Sequence, residues 1–110
     1  MTGQLEGRRI LLTGVSRGIG LCAARLFLAE GAHVLGVARN ETRLEEVSPQ
    51  LSKLGDFAPL CLALEDPAAP QLLTRRATEL WGAIDIVIHN AGVMVAHGSI
   101  SEEPELRPRR

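Results

Sequence analysis

Directly behind the short apolar run Arg9–Thr13 stand Thr13-Gly14-Val15-Ser16-Arg17-Gly18-Ile19-Gly20, with three glycines in the spacing GxxxGxG. A strand, a tight glycine turn and a helix N-terminus in succession make an anion site. Backbone N–H groups and the positive end of the helix dipole converge on one point, and phosphate is the natural guest. The spacing differs from GxGxxG, and no Lys-Ser or Lys-Thr follows Gly20, which excludes a Walker-type phosphate loop.

Further along, the second apolar run ends Val37-Ala38-Arg39-Asn40. About 20 residues after its glycine turn, a dinucleotide fold places the group that reads the adenosine ribose: an acidic side chain for NAD, an arginine for the 2′-phosphate of NADP. The acidic residue is absent and Arg39 stands beside its position, with Arg17 in the glycine loop able to approach the same phosphate. A charge-assisted hydrogen bond of about 1.5 to 3 kcal/mol favours NADP over NAD by roughly ten- to a hundredfold.

The elements that must position these residues follow from periodicity. Arg9–Thr13 ("RILLT") and His33–Ala38 ("HVLGVA") are continuous apolar runs too short for helices, the signature of strands buried on both faces of a parallel sheet. Between them Ile19, Ala23, Leu26 and Phe27 recur at helical spacing from about Gly18 to Glu30, with Gly31 as a left-handed C-cap. Leu44, Val47, Leu51 and Leu54 mark a second helix, expected to break at Ser48 and restart at Pro49. Pro59–Leu64 reads as strand three. Asp66 and Pro67 read as cap and first turn of a third helix with Leu72, Leu73, Ala77 and Leu80 inward. Ile84–His89 reads as strand four, followed by the small-residue turn Asn90-Ala91-Gly92. The order βαβαβαβ implies right-handed crossovers and an α/β, doubly wound, Rossmann-like parallel sheet in the order 3-2-1-4, helices on both faces. Residues 1–98 form this partial domain, and 99–110 a charged, proline-containing tail.

The 110 residues suffice for one small domain burying roughly 65% of its unfolded surface. A net charge of −1 gives no electrostatic reason for a nucleic-acid or membrane partner, and no run approaches the ~18 apolar residues of a spanning helix. Cys22 and Cys61 lack CxxC spacing; they read as core fillers in a cytoplasmic protein without disulfide or metal site. Ser16, His33, His89 and His97 lack a GxSxG elbow, so a hydrolase triad is rejected. Arg107, Arg109 and Arg110 are offset by Glu102, Glu103 and Glu105 and read as solvated tail.

The chain resembles the short-chain dehydrogenase/reductase family. The family motif Thr-Gly-x-x-x-Gly-x-Gly is matched in full by Thr13–Gly20, and its Asn-Asn-Ala-Gly motif by His89-Asn90-Ala91-Gly92. The resemblance implies that the loop Thr13, Gly14, Val15, Ser16, Arg17, Gly18, Ile19 and Gly20 wraps a pyrophosphate, with Ile19 near the nicotinamide. It also implies that Asn90, with Ala91 and Gly92, contacts the adenosine ribose. The family's adenine-contacting Asp falls on Ala63, beside Leu64, so one contact is missing, and His89 replaces the first Asn of its motif. The family's catalytic Tyr-x-x-x-Lys, its Ser and its upstream Asn would all lie beyond Arg110. The chain contains no tyrosine, and its single lysine is Lys53. No catalytic residue is therefore assigned, and a small-molecule substrate is expected only with the missing half.

A half-sheet leaves strand four as an apolar edge, through which self-association is expected. Three readings remain open. The first is the NADP-binding part of an oxidoreductase, inactive alone; the second is a non-catalytic dinucleotide-binding or interaction module pairing through strand four. The third is a chain that does not fold stably.

Overall fold

The computed structural model describes residues 3–16, 18–89 and 92–95, the last four by their backbone. The elements are β1 (Arg9–Thr13), α1 (Gly18–Ala29), β2 (His33–Ala38), α2 (Glu41–Ser52), β3 (Phe57–Cys61), α3 (Ala69–Leu80), β4 (Ile86–His89) and β5 (Gly92–Val95). The sheet runs β3-β2-β1-β4-β5. Its first four strands are parallel, as the alternating pattern requires, with Thr13 opposite Val37, Ala38 opposite Cys61 and Leu12 opposite Ile88.

Alternation along the strands divides the core into two layers. Ile10, Leu12 and Val34 point to one face, where they meet Ala24 and Leu28 of α1 and Leu44, Val47 and Leu51 of α2. Leu11, Leu35 and Val37 point to the other, against Ala69 and Ala77 of α3. Each fully buried Leu, Ile or Val contributes about 1.5–3 kcal/mol, and β1 and β2 are central because they carry such residues on both faces.

Strand four is not the edge. β5 pairs with it antiparallel, His89 opposite Gly92 and Ile86 opposite Val95, and supplies the backbone partners that the four-strand reading left missing. A four-residue strand returning after two small residues carries too weak a periodicity to register in the sequence.

Other expectations shift for identifiable reasons. In α1 the buried stripe is Gly20, Ala24 and Leu28, while Ile19 and Leu26 are exposed. A Cβ on Gly20 would lie 1.8 Å from the Gly14 carbonyl oxygen, so that contact sets the rotation of the helix. Cys22 thereby turns outward, and Cys61 ends the edge strand β3; both cysteines are exposed rather than core fillers. α2 runs unbroken through Pro49. Only its final turn follows the proline, and burying Leu51 beside Val47 offsets the lost N–H bond. β3 begins at Phe57, earlier than expected, and Pro59 fits within it because an edge strand has one unpaired side. α3 begins at Ala69 rather than at Pro67, after a turn in which the Asp66 carboxylate accepts from the Ala68 N–H at 2.9 Å, and Leu72 lies exposed on its outer side.

Candidate functional site

The C-terminal ends of the parallel strands meet along one rim of the sheet. There the chain leaves β1 and folds over the end of β2: the N–H groups of Gly14 and Val15 both donate to the Val37 carbonyl, at 2.8 and 3.2 Å. Val15 is completely buried beneath this turn, and Ser16 nearly so. Gly14 and Gly18 have φ of 69° and 62°, a left-handed backbone that glycine adopts without penalty. Gly20 serves a different purpose, since a Cβ there would strike the Gly14 carbonyl and part α1 from the loop. The motif thus brings the start of α1, with its N–H groups lacking intrahelical acceptors, against the rim.

Beside the loop opens a cleft of about 630 Å³, lined by Thr13, Gly14, Ser16, Val37, Ala38, Arg39, Asn40, Arg43, Leu62, Leu64, Glu65 and His89. Four strand ends contribute, which explains how residues spread from 13 to 89 in the chain share one concavity. Asn40 caps α2, its Oδ1 accepting from the Arg43 N–H at 3.0 Å, and so fixes where Arg39 leaves β2. In the first turn of α2, Arg43 donates from Nε to the Ser16 carbonyl at 3.1 Å and pairs with Glu46 at 3.2 Å. Arg39 reaches across the rim to Glu65, Nη2 to Oε2 at 2.6 Å, with both side chains more than 60% exposed.

Of the residues expected from sequence, Thr13, Gly14, Ser16, Arg39 and Leu64 line the cleft. Val15 anchors the loop from the core; Gly18, Ile19 and Gly20 form the first turn of α1, with Ile19 exposed. Ala63 lies between the lining residues Leu62 and Leu64 and is not itself a lining residue. Gly92 opens β5 opposite His89. Arg17, Asn90 and Ala91 lie outside the described residues. Sequence reading did not select Asn40, Arg43 or Glu65. The first two were recoverable: Asn before Glu-Thr-Arg is a capping signal, and it places Arg43 in the first turn facing the strand ends.

The opposite end of the sheet carries the most strongly perturbed pair. Asp85 accepts from Arg9 Nε at 3.0 Å, from Nη2 at 3.2 Å and from the Arg9 backbone N–H at 2.9 Å, while the Asp85 N–H returns to the Arg9 carbonyl at 2.8 Å. Hydrogen bonds from the Arg9 side chain, then its backbone, hold the Asp85 carboxyl below its ordinary value. This latch joins β1 to the approach of β4 and is remote from the cleft. Among the described residues there is no metal-binding cluster of His, Cys, Asp or Glu, and no helix is long and apolar enough to cross a membrane.

The short chain dehydrogenase family profile matches residues 8–106. A protein of Dichelobacter nodosus, described as a probable NADP-dependent dehydrogenase, is 37% identical over 94 residues, covering 84% of this chain and 86% of the relative. The 3-oxoacyl-(acyl-carrier-protein) reductase FabG of Escherichia coli is 36% identical over 88 residues, covering 80% of this chain and 35% of the relative. Among solved structures, the Pseudomonas aeruginosa RhlG/NADP active-site complex superposes with a TM-score of 0.73 at 34% identity, covering 80% of this chain and 36% of that one. The chain thus spans about a third of the length of the latter two. With the glycine loop, the strand order and these similarities in agreement, the chain belongs to the short-chain dehydrogenase/reductase family of oxidoreductases and carries the Rossmann-type part of its fold.

Proposed function

We propose that this chain binds NADP(H) as the cofactor-holding part of a short-chain dehydrogenase/reductase. The observation that carries the reading is one cleft in which a glycine loop and two arginines, Arg39 and Arg43, meet at the end of β2. The glycine loop is suited to a pyrophosphate. Gly14 and Gly18 supply the left-handed turns, Gly20 lets α1 approach, and the N–H groups at the start of α1 would face a pyrophosphate at the rim. Arg39, with Arg17, holds the 2′-phosphate, Arg43 steadies the loop through the Ser16 carbonyl, Leu62 and Leu64 give the adenine an apolar wall, and Asn90 with Ala91 and Gly92 supports the ribose. The bound dinucleotide would supply or accept a hydride.

These residues bind and orient; none moves a proton at a substrate. With no tyrosine and with its lone Lys53 at the C-cap of α2, the 110-residue chain holds no Tyr-x-x-x-Lys pair and is inactive as a reductase by itself. Two measurements test this reading. Arg39→Ala should weaken NADPH binding by roughly ten- to a hundredfold and leave NADH within about twofold; unchanged NADPH affinity removes the role of Arg39. Carbonyl-dependent NADPH oxidation by the purified chain would refute its inactivity.

A further inference from the structure

The cleft holds one element of opposite charge to the arginines that define it. Glu65 lies four residues beyond β3, in the turn before α3, and its carboxylate meets Arg39 at 2.6 Å. The geometry is set by the sheet. Ala38 and Cys61 are paired neighbours at the ends of β2 and β3, the Leu62 N–H donates to the Ala38 carbonyl at 2.9 Å, and the segments carrying Arg39 and Glu65 emerge side by side. Both residues line the cleft, and among the described residues neither has another ion-pair partner. Arg43, by contrast, is engaged with the Ser16 carbonyl and Glu46.

We infer that Glu65 is a specificity-determining residue that competes with the cofactor's 2′-phosphate for Arg39 and so holds down this chain's preference for NADPH over NADH. The inference rests on the cofactor reading above. A phosphomonoester carries about −1.5 to −2 charges at neutral pH, and when it takes Arg39 the displaced carboxylate stays within one side-chain length of it. The exposed Arg39–Glu65 pair contributes too little ordering to compensate for that repulsion. NADH presents a hydroxyl at the same place and meets no such penalty. Glu65 touches the cofactor through Arg39 and the local field, and acts before any chemical step.

The test is calorimetric titration of the full chain with NADPH and NADH, and with 2′,5′-ADP and 5′-AMP as minimal probes, comparing wild type, Glu65→Gln, Arg39→Ala and the double variant. Glu65→Gln should bind NADPH and 2′,5′-ADP about three- to tenfold more tightly, with NADH and 5′-AMP changed by less than about twofold. In the Arg39→Ala background the gain should shrink, because the contested arginine is gone. Glu65→Asp, which keeps the charge on a shorter arm, should stay near wild type. Unchanged or weaker NADPH binding by a folded Glu65→Gln chain overturns the inference, as does an equal gain for NADH or an undiminished gain without Arg39. A wild-type chain that binds neither dinucleotide overturns instead the cofactor reading beneath it.

Discussion

Replacing Gly20 with alanine tests whether the glycine loop and α1 form one rigid cradle. The new Cβ would lie 1.8 Å from the Gly14 oxygen, 2.7 Å from its carbonyl carbon and 3.3 Å from the Val15 Cα, all backbone atoms. None can swing aside, because Gly14 and Val15 are tied to the Val37 carbonyl and Val15 is fully buried. Reaching 3.4 Å, where ordinary contact begins, takes a retreat of about 1.6 Å by the helix or the turn. Overpacking of this kind costs about 1–3 kcal/mol or more, and each kcal/mol lowers the melting temperature of a domain this size by about 4–8 °C. Because the contact is with backbone, the upper half of the range applies, a fall of at least about 8 °C by far-UV circular dichroism. Gly18→Ala is the control: its φ of +62° is strained for alanine, but a Cβ there meets nothing within 4 Å. That variant should lose about 1 kcal/mol, in line with a single left-handed alanine. The refuting result is Gly20→Ala melting at or above Gly18→Ala, which would mean that α1 is not seated on the loop.

Further outcomes follow from the same geometry. Arg43→Ala removes the bond to the Ser16 carbonyl and should weaken NADPH binding by about fivefold or more, read by titration; full retention would show that the α2–loop contact does not shape the cleft. The Arg9–Asp85 latch predicts a pH dependence with a definite sign. The folded Asp85 carboxyl lies below its ordinary value, so its stabilisation is complete above the unfolded value of about 4 and is lost as pH falls through the lower folded value. Wild type should therefore lose more stability than Asp85→Asn on acidification below about pH 4, measured by urea unfolding, and parallel curves would contradict it. Pro49→Ala restores a donor in the last turn of α2 and should raise the melting temperature by several degrees, whereas a fall would show that Pro49 stabilises that turn.

Much of the fold is legible because its central strands are buried on both faces. Arg9–Thr13 and His33–Ala38 fall where the apolar runs place them, since a continuous run of that length has few alternatives. The glycine loop is equally legible, because each glycine answers a local backbone demand. What escapes is set by contacts between distant residues. The rotation of α1 depends on Gly14 meeting Gly20, the continuity of α2 through Pro49 on burial of Leu51, and the covering of β4 on a short antiparallel return. The cleft divides in the same way. Arg39 was visible from its distance to the loop, while Glu65 became relevant only once pairing of β2 with β3 brought its turn against Arg39.

The central claim is that this chain alone is an NADP(H)-selective cradle. Titrating NADPH and NADH into the purified 110-residue protein at fixed, moderate ionic strength tests it most directly. Saturable one-to-one NADPH binding, tighter than NADH by roughly tenfold or more, is the predicted result. Binding of NADH as tight as that of NADPH, or no saturable binding of either, would contradict it.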